Sequence, residues 1–159
     1  MAEHRLPART RRPDLTRHIL LDAQEWALRL VCDVLGTDPD IYAPGFAVGI
    51  VREDVLVAGV VYHDWRPKQG DISMTIAARS PRWASRGVIA WLLQYPFCEL
   101  QCRRISTTVR SDNRHAMRFN ERLGFKLEGR RLEFFEPGVD CIEYGMMREE
   151  WACGPYRWE

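Results

Sequence analysis

The sequence predicts an α+β fold: one domain on a mixed, mostly antiparallel sheet flanked by helices. Three observations carry this. The apolar, β-branched runs "FAVGIV", "VLVAGVVYHDW" and "DISMTIAA" follow one another across short polar turns, the pattern of an antiparallel meander. The runs "FKLEGRRLEFF" and "VDCIEYGMMRE" close the chain around "EPG" as a hairpin. Between these groups of strands lie segments whose apolar residues recur at spacings of three and four, the period of a docked helix.

Taken in order, "LTRHILL" (15–21) reads as a short strand. Asp22 with Glu25 three residues on has the form of a capping box, which opens a helix striped by Trp26, Leu28, Leu30, Val31, Val34 and Leu35 and stopped at Gly36. "TDPDIYAPG" is a loop by its Pro, Gly and Asp content. The meander follows. "RSPRWASRGVIAWLLQYPFCEL" (79–100) reads as a loop running into a buried helix, and "RRISTTVR" as a strand. Then comes "SDNRHAMRFNERLGF" (111–125). Ser111, Asp112 and Asn113 can accept hydrogen bonds from a first helical turn, Gly124 is a natural stop, and Ala116, Met117, Phe119 and Leu123 form one apolar stripe against Arg114, Arg118, Glu121 and Arg122. The expected order is β–α–βββ–α–β–α–ββ.

With 159 residues, of which 46% are hydrophobic, the chain is long enough for one sizeable core and short for two domains. Residues 1–14 read as a flexible basic arm, 15–151 as the domain and 152–159 as a C-terminal tail. No apolar run approaches the ~20 residues that span a bilayer, and the N-terminus lacks the apolar stretch of a secretory signal, so a cytoplasmic protein without a membrane partner is expected. The five cysteines have no paired CxxC spacing; neither a disulfide framework nor a metal site is favoured, and they read mostly as small core hydrophobes. All the basic residues but Lys68 and Lys126 are Arg. A planar fork suits phosphate and carboxylate, while genome base composition produces the same bias. A near-neutral net charge of +1 argues against a strong non-specific DNA binder.

The order of elements, and "NRHAMRFNERLGF" above all, resembles the GNAT N-acetyltransferase superfamily, whose last helix reads Asn-x-x-Ala/Ser, an aliphatic stripe, then Leu-Gly-Phe. Asn113, Ala116, Met117, Phe119, Leu123, Gly124 and Phe125 fall in that register. "KLEGRR", Asp140 and "EYGMMREEW" are similar to the branch with the Rim-type ribosomal-protein acetyltransferases and small prophage-borne members; the similarity covers roughly 45–151. It implies the acyl-CoA N-acyltransferase fold, acetyl-CoA as co-substrate and transfer of an acetyl group to a primary amine on a small molecule, peptide or nucleic acid. It leaves a homodimer open.

The resemblance also implies a site. A pantetheine arm would lie between two splayed parallel strands, with oxyanion donors from the backbone near Ile76 and Ala77. The pyrophosphate would sit on "RWASRG": Arg82, Trp83, Ala84, Ser85, Arg86 and Gly87. The family pattern there is Gln/Arg-x-x-Gly-x-Gly/Ala; Ser85 replaces its first glycine, and Trp83 and Pro96 are further departures. Asn113, Phe119 and Asn120 complete the cofactor side. Asn113 is open to two compatible roles, helix cap and ligand to the pantetheine or an ordered water. Asn120 stands where many members carry a Tyr that protonates the departing thiolate, a proton an amide cannot supply. Asn113, Ser73 and Asp71 are the catalytic candidates. His63 and Asp64, with Glu143 or Tyr144, are alternative bases, a lone His at a strand end reading as exposed, and a water-relayed transfer stands beside them. Two other functions remain: a catalytically silent CoA-binding module, and a phage-type protein acting on nucleic acid through a track of Arg103, Arg104, Arg110, Arg114 and Arg118.

Overall fold

The computed structural model describes residues 18–157. The basic arm expected at 1–14 lies outside them. In chain order the elements are β1 (Ile19–Leu20), α1 (Gln24–Leu35), β2 (Phe46–Arg52), β3 (Val55–Arg66), β4 (Asp71–Ala78), α2 (Arg86–Gln94), β5 (Arg104–Arg110), α3 (Arg114–Leu123), β6 (Lys126–Glu136), β7 (Val139–Met147) and α4 (Arg148–Ala152). The strands make one seven-stranded sheet in the order β1-β2-β3-β4-β5-β7-β6, antiparallel everywhere except between β4 and β5. Every strand and long helix expected from the sequence is present. Short 3-10 turns at Pro39–Tyr42 and Pro81–Trp83 and the brief α4 are additions.

Two apolar layers cover the sheet. On one face Ala27, Leu30 and Val31 of α1 meet Ala47, Val61 and Ala77. The helix lies directly on the strands because β3 is bare at Gly59, where a Cβ would come within 2.5 Å of the Ala27 carbonyl. That docking corrects two expectations. Trp26, Val34 and Leu35 are exposed, since the face that α1 sets on the strands is the one with Ala27, Leu30 and Val31, and the close approach at Gly59 leaves the others on its flanks. The Asp22–Glu25 capping box does not form: the helix is entered through Ala23 with no side-chain cap, its position set by packing on β3. The stop at Gly36 is as expected, with φ of 65°.

On the opposite face α2 and α3 bury the larger core, including Ile72, Met74, Val88, Leu92, Ile105, Leu123, Phe125 and Ile142. Pro96 is accommodated because α2 opens after Gln94 into a wide π-type turn, Tyr95–Glu99, which tolerates the missing N–H. Helix α3 presents the expected stripe to this core and ends at Gly124, φ 99°, whose N–H returns to the Asn120 and Glu121 carbonyls. Cys102 and Cys141 are fully buried, whereas Cys153 is exposed. After α4, whose Trp151 stacks on Phe97 at 5.1 Å, the chain folds back: the Pro155 carbonyl accepts from Arg86 Nη2 at 2.9 Å, so residues 152–157 lie on the domain.

Two stability outcomes are expected. Phe125→Ala removes a 3%-exposed ring from the core under α3 and should cost about 3–5 kcal/mol in urea denaturation. Gly59→Ala should cost about 1–3 kcal/mol although it adds a methyl, because α1 must lift off β3. An unchanged midpoint for either would mean that the corresponding helix does not dock as described.

Candidate active site

The site is created by an incomplete strand pair. β4 and β5 run parallel and pair only at Asp71–Arg104, Ile72–Ile105 and Ser73–Ser106. β4 then continues to Ala78 and β5 to Arg110 without pairing each other. Each stays bound to its outer neighbour, β4 to β3 as far as Ala78 and β5 to β7 at every position. A V-shaped gap opens beyond Ser73 and Ser106, and its edges, which include Ile76 and Ala77, carry main-chain groups with no strand partner across it. Buried main-chain groups seek partners, so such a gap is prepared for an extended ligand.

The helical face of the gap carries the loop before α2. Its backbone N–H groups are partly spent: Trp83 N–H donates to Ser80, Ala84 N–H to Pro81 and Ser85 N–H to Trp83 carbonyls. The N–H groups of Arg86 and Gly87, in the first turn of α2, have no acceptor among the described residues. Ser85 caps the helix, its Oγ accepting from Val88 N–H at 3.4 Å and from Arg52 Nη2 at 3.0 Å, which leaves the hydroxyl proton to donate outward. Arg52 also donates to the Arg82 and Trp83 carbonyls and so pins the loop from β2. Arg82 is paired with Glu53 at 3.0 Å, both exposed. Trp83 is buried against Phe119 of α3, ring centroids 5.4 Å apart, and bridges loop and helix. This loop can hold an anion by main-chain donors and helix dipole more than by its arginines.

On α3, Asn113 Oδ1 accepts from Ala116 N–H at 3.1 Å, which is the helix-cap role; its amide N–H₂ is not used in that bond. Asn120 is buried on the inner side of the helix. Tyr144, on β7 opposite Thr107, donates to Glu121 at 3.2 Å. Burial, then that carboxylate, push its phenol above the usual value.

The other face of the gap is polar. His63, Ser73 and Thr75 share it on β3 and β4, and Arg104, Ser106, Thr108 and Glu143 continue it across β5 and β7. Asp71 lies at the closed end, where its carboxylate accepts from Ser106 Oγ at 2.7 Å and pairs with Arg104 at 3.3 Å and Arg66 at 3.8 Å. Ser73 sits in the last residue pair before the gap. Glu143 pairs with Arg131 at 3.0 Å. His63 is not the exposed strand-end histidine that the sequence suggests. Its side chain is 13% exposed, Nδ1 is 2.9 Å from Asp64 Oδ2, and Nε2 is 2.9 Å from Thr75 Oγ1. Thr75 and Ser106 carry no signal in the sequence, because only the strand register reveals that they face the gap.

The expected basic track does not assemble. Arg104 is taken by Glu128 and Asp71, Arg110 by Asp112 and Glu136, and Arg103 by the Gln69 carbonyl; Arg103, Arg114 and Arg118 have no carboxylate partner among the described residues. Those described residues also hold no group of three or more metal-binding side chains, and no helix among them is long and apolar enough to cross a membrane.

No protein-family model matches the chain. The SPbeta prophage-derived uncharacterized N-acetyltransferase YokL of Bacillus subtilis is 30% identical over a stretch that covers 65% of this chain; the chain spans 62% of that relative's length. Among solved structures, a putative acetyltransferase aligns with a TM-score of 0.65 at 19% identity, covering 92% of this chain and 91% of its own. The dodecameric spermidine N-acetyltransferase SpeG of Vibrio cholerae aligns with a TM-score of 0.60 at 19% identity, covering 69% of this chain and 68% of its own.

Asn113→Ala should lower stability by about 1 kcal/mol, the value of an N-cap, and Asn113→Ser should restore most of it. A thermal shift of equal size in both variants would show that the cap bond carries no stability.

Proposed function

We propose that the chain, which shares its fold with a solved putative acetyltransferase and resembles a prophage-derived N-acetyltransferase over part of that relative's length, is a GNAT N-acetyltransferase that transfers an acetyl group from acetyl-CoA to a primary amine. The observation that carries this is the parallel β4–β5 pair that stops after three residues beside a helix N-terminus with two uncommitted N–H groups. The two features fit the two ends of one molecule. Pantetheine amides would bond the free strand edges like an added strand, and the pyrophosphate would rest on Arg86 and Gly87 N–H with Ser85 Oγ as a further donor. Ser85 in place of glycine is compatible with this, because its hydroxyl caps the helix and still has a proton to give.

Acetyl-CoA supplies an activated thioester. The chain's own part is to hold it straight, to offer backbone N–H near Ile76 and Ala77 to the developing oxyanion, and to receive the amine's proton on the polar face. Asp71 is less suited to that last task than its sequence position suggests, since Ser106, Arg104 and Arg66 all occupy its carboxylate. Asn120 leaves the thiolate without a side-chain acid from that position, and solvent would protonate it. The acceptor is an amine of unassigned class. The nucleic-acid alternative is weakened by the neutralised arginines of β5.

Acetyl-CoA should raise stability by roughly 2–3 kcal/mol at a hundredfold excess over Kd, and Gly87→Glu, which sets a carboxylate at the phosphate position, should remove the effect. Equal CoA binding by mutant and parent in calorimetry would place the anion elsewhere. Free-thiol release should be followed across primary amines, amine-bearing peptides and nucleosides. CoA binding without turnover of any of them would support a silent module instead. Asn120→Tyr should raise kcat if thiolate protonation limits turnover; an unchanged kcat with intact binding would show that it does not.

A further inference from the structure

We propose that Thr75, His63 and Asp64 form a proton relay that serves the acceptor amine, with the Thr75 hydroxyl as the group that meets the amine. The relay rests on the acetyl-transfer reading and deepens it by naming the residues that take the proton.

Asp64 fixes the direction of the chain of hydrogen bonds. An ionised carboxylate only accepts, so the hydrogen between Asp64 Oδ2 and His63 must sit on Nδ1. In the neutral ring Nε2 then carries the lone pair and accepts from the Thr75 hydroxyl, whose oxygen keeps lone pairs facing outward. Each link is 2.9 Å, a good hydrogen-bond length.

The backbone is bent to make this contact. β3 and β4 lose register between His63 and Arg66, and Asp64 adopts a left-handed φ of 50°, an uncommon conformation for a residue other than glycine. Without that bulge strand alternation would send the Asp64 side chain to the opposite face from His63. The ring is held from behind as well. Tyr42 meets it edge-on at 5.1 Å, and at Gly45 a Cβ would come within 3.2 Å of the His63 Cβ.

Its location matches the chemistry. Thr75 lies two residues past Ser73, the last β4 residue paired with β5, and next to Ile76 on the strand expected to supply the oxyanion donor. As the amine nitrogen bonds to the thioester carbon, its proton passes to Thr75 Oγ while the hydroxyl proton passes to His63 Nε2. Asp64 stabilises the resulting imidazolium. The C–S bond breaks with its electron pair on sulfur, and the thiolate takes a proton from solvent. Asp64, 53% exposed, stands where His63 can return its proton to water.

The test uses the full chain, acetyl-CoA and the amine that turns over fastest in the panel described above. His63→Gln and Thr75→Val should each lower kcat about a hundredfold with the KM for acetyl-CoA and its calorimetric Kd unchanged. Thr75→Ser should stay within about threefold of the parent, and added imidazole should restore part of the activity of His63→Ala, which a purely structural role would not allow. Independently of turnover, nitrogen NMR should find the proton of the neutral His63 ring on Nδ1, with the resonance assigned by its loss in His63→Gln. A proton on Nε2, or less than a threefold kcat loss in His63→Gln, would overturn the relay while leaving acetyl transfer intact. A parent that turns over no amine would overturn the acetyl-transfer reading, and the relay with it.

Discussion

The three residue pairs shared by β4 and β5 are the constraint on which the rest of the molecule turns. They divide the sheet into a four-stranded half, β1 to β4, and a three-stranded half, β5, β7 and β6. Beside the gap each edge strand stays paired with its outer neighbour, β4 with β3 as far as Ala78 and β5 with β7 along its whole length. Twist accumulates separately in two such blocks and separates them past the point where they touch. Closing the gap would give more main-chain bonds; each edge strand is instead held by its outer partner, and α1 braces only the first half. α1 rests on β2, β3 and β4, while α2 and α3 pack over the opposite face. A ligand that completes the missing pairing gains what the fold leaves unmade.

Much of this was legible in the sequence, for identifiable reasons. The meander, the closing hairpin and α3 obey strong local rules: alternation in strands, a polar cap at Asn113, a positive-φ glycine at 124. The stripe of α1 departs from the sequence expectation because which apolar residues face inward depends on the partner surface. Gly59 lets α1 approach through its Ala27–Val31 side, and no property of α1 alone says so. The capping box failed for the same reason, a tertiary contact overriding a local preference of about 1 kcal/mol. Likewise the arginines on β5 looked like a basic track because their carboxylate partners, Glu128 and Glu136, come from a strand some 25 residues later.

The site was legible in outline and obscure in detail. The loop before α2 and the cap of α3 sit at element boundaries, where sequence signals are strongest. Hydroxyls on strands have no such signature. Thr75 and Ser106 are chemically ordinary, and they gain meaning from the register that sets Ser73 beside Ser106 and lets β4 run on alone. His63 looks exposed in the sequence because a lone histidine at a strand end shows no partner there. The bulge that turns Asp64 back onto the ring is a backbone event that residue types do not announce.

The two sides of the gap divide the work by polarity. Toward α2 and α3 the walls are aromatic and aliphatic, with Trp83 on Phe119 excluding water from the region between loop and helix. Toward the far face the strands carry Ser73, Thr75, Ser106 and Thr108, with charges paired internally as Asp71–Arg104 and Glu143–Arg131. In the proposed reaction a thioester bound from the first side would meet main-chain donors in a region of low dielectric, where they act strongly on developing charge. An amine arriving from the second side would meet hydroxyls and a histidine, groups that can move protons without presenting a fixed, unpaired charge. Because the gap joins these environments at one point, the opposite requirements of the proposed reaction, dry for the oxyanion and proton-conducting for the amine, would be met by neighbouring residues, Thr75 with Ile76 and Ala77, on a single strand.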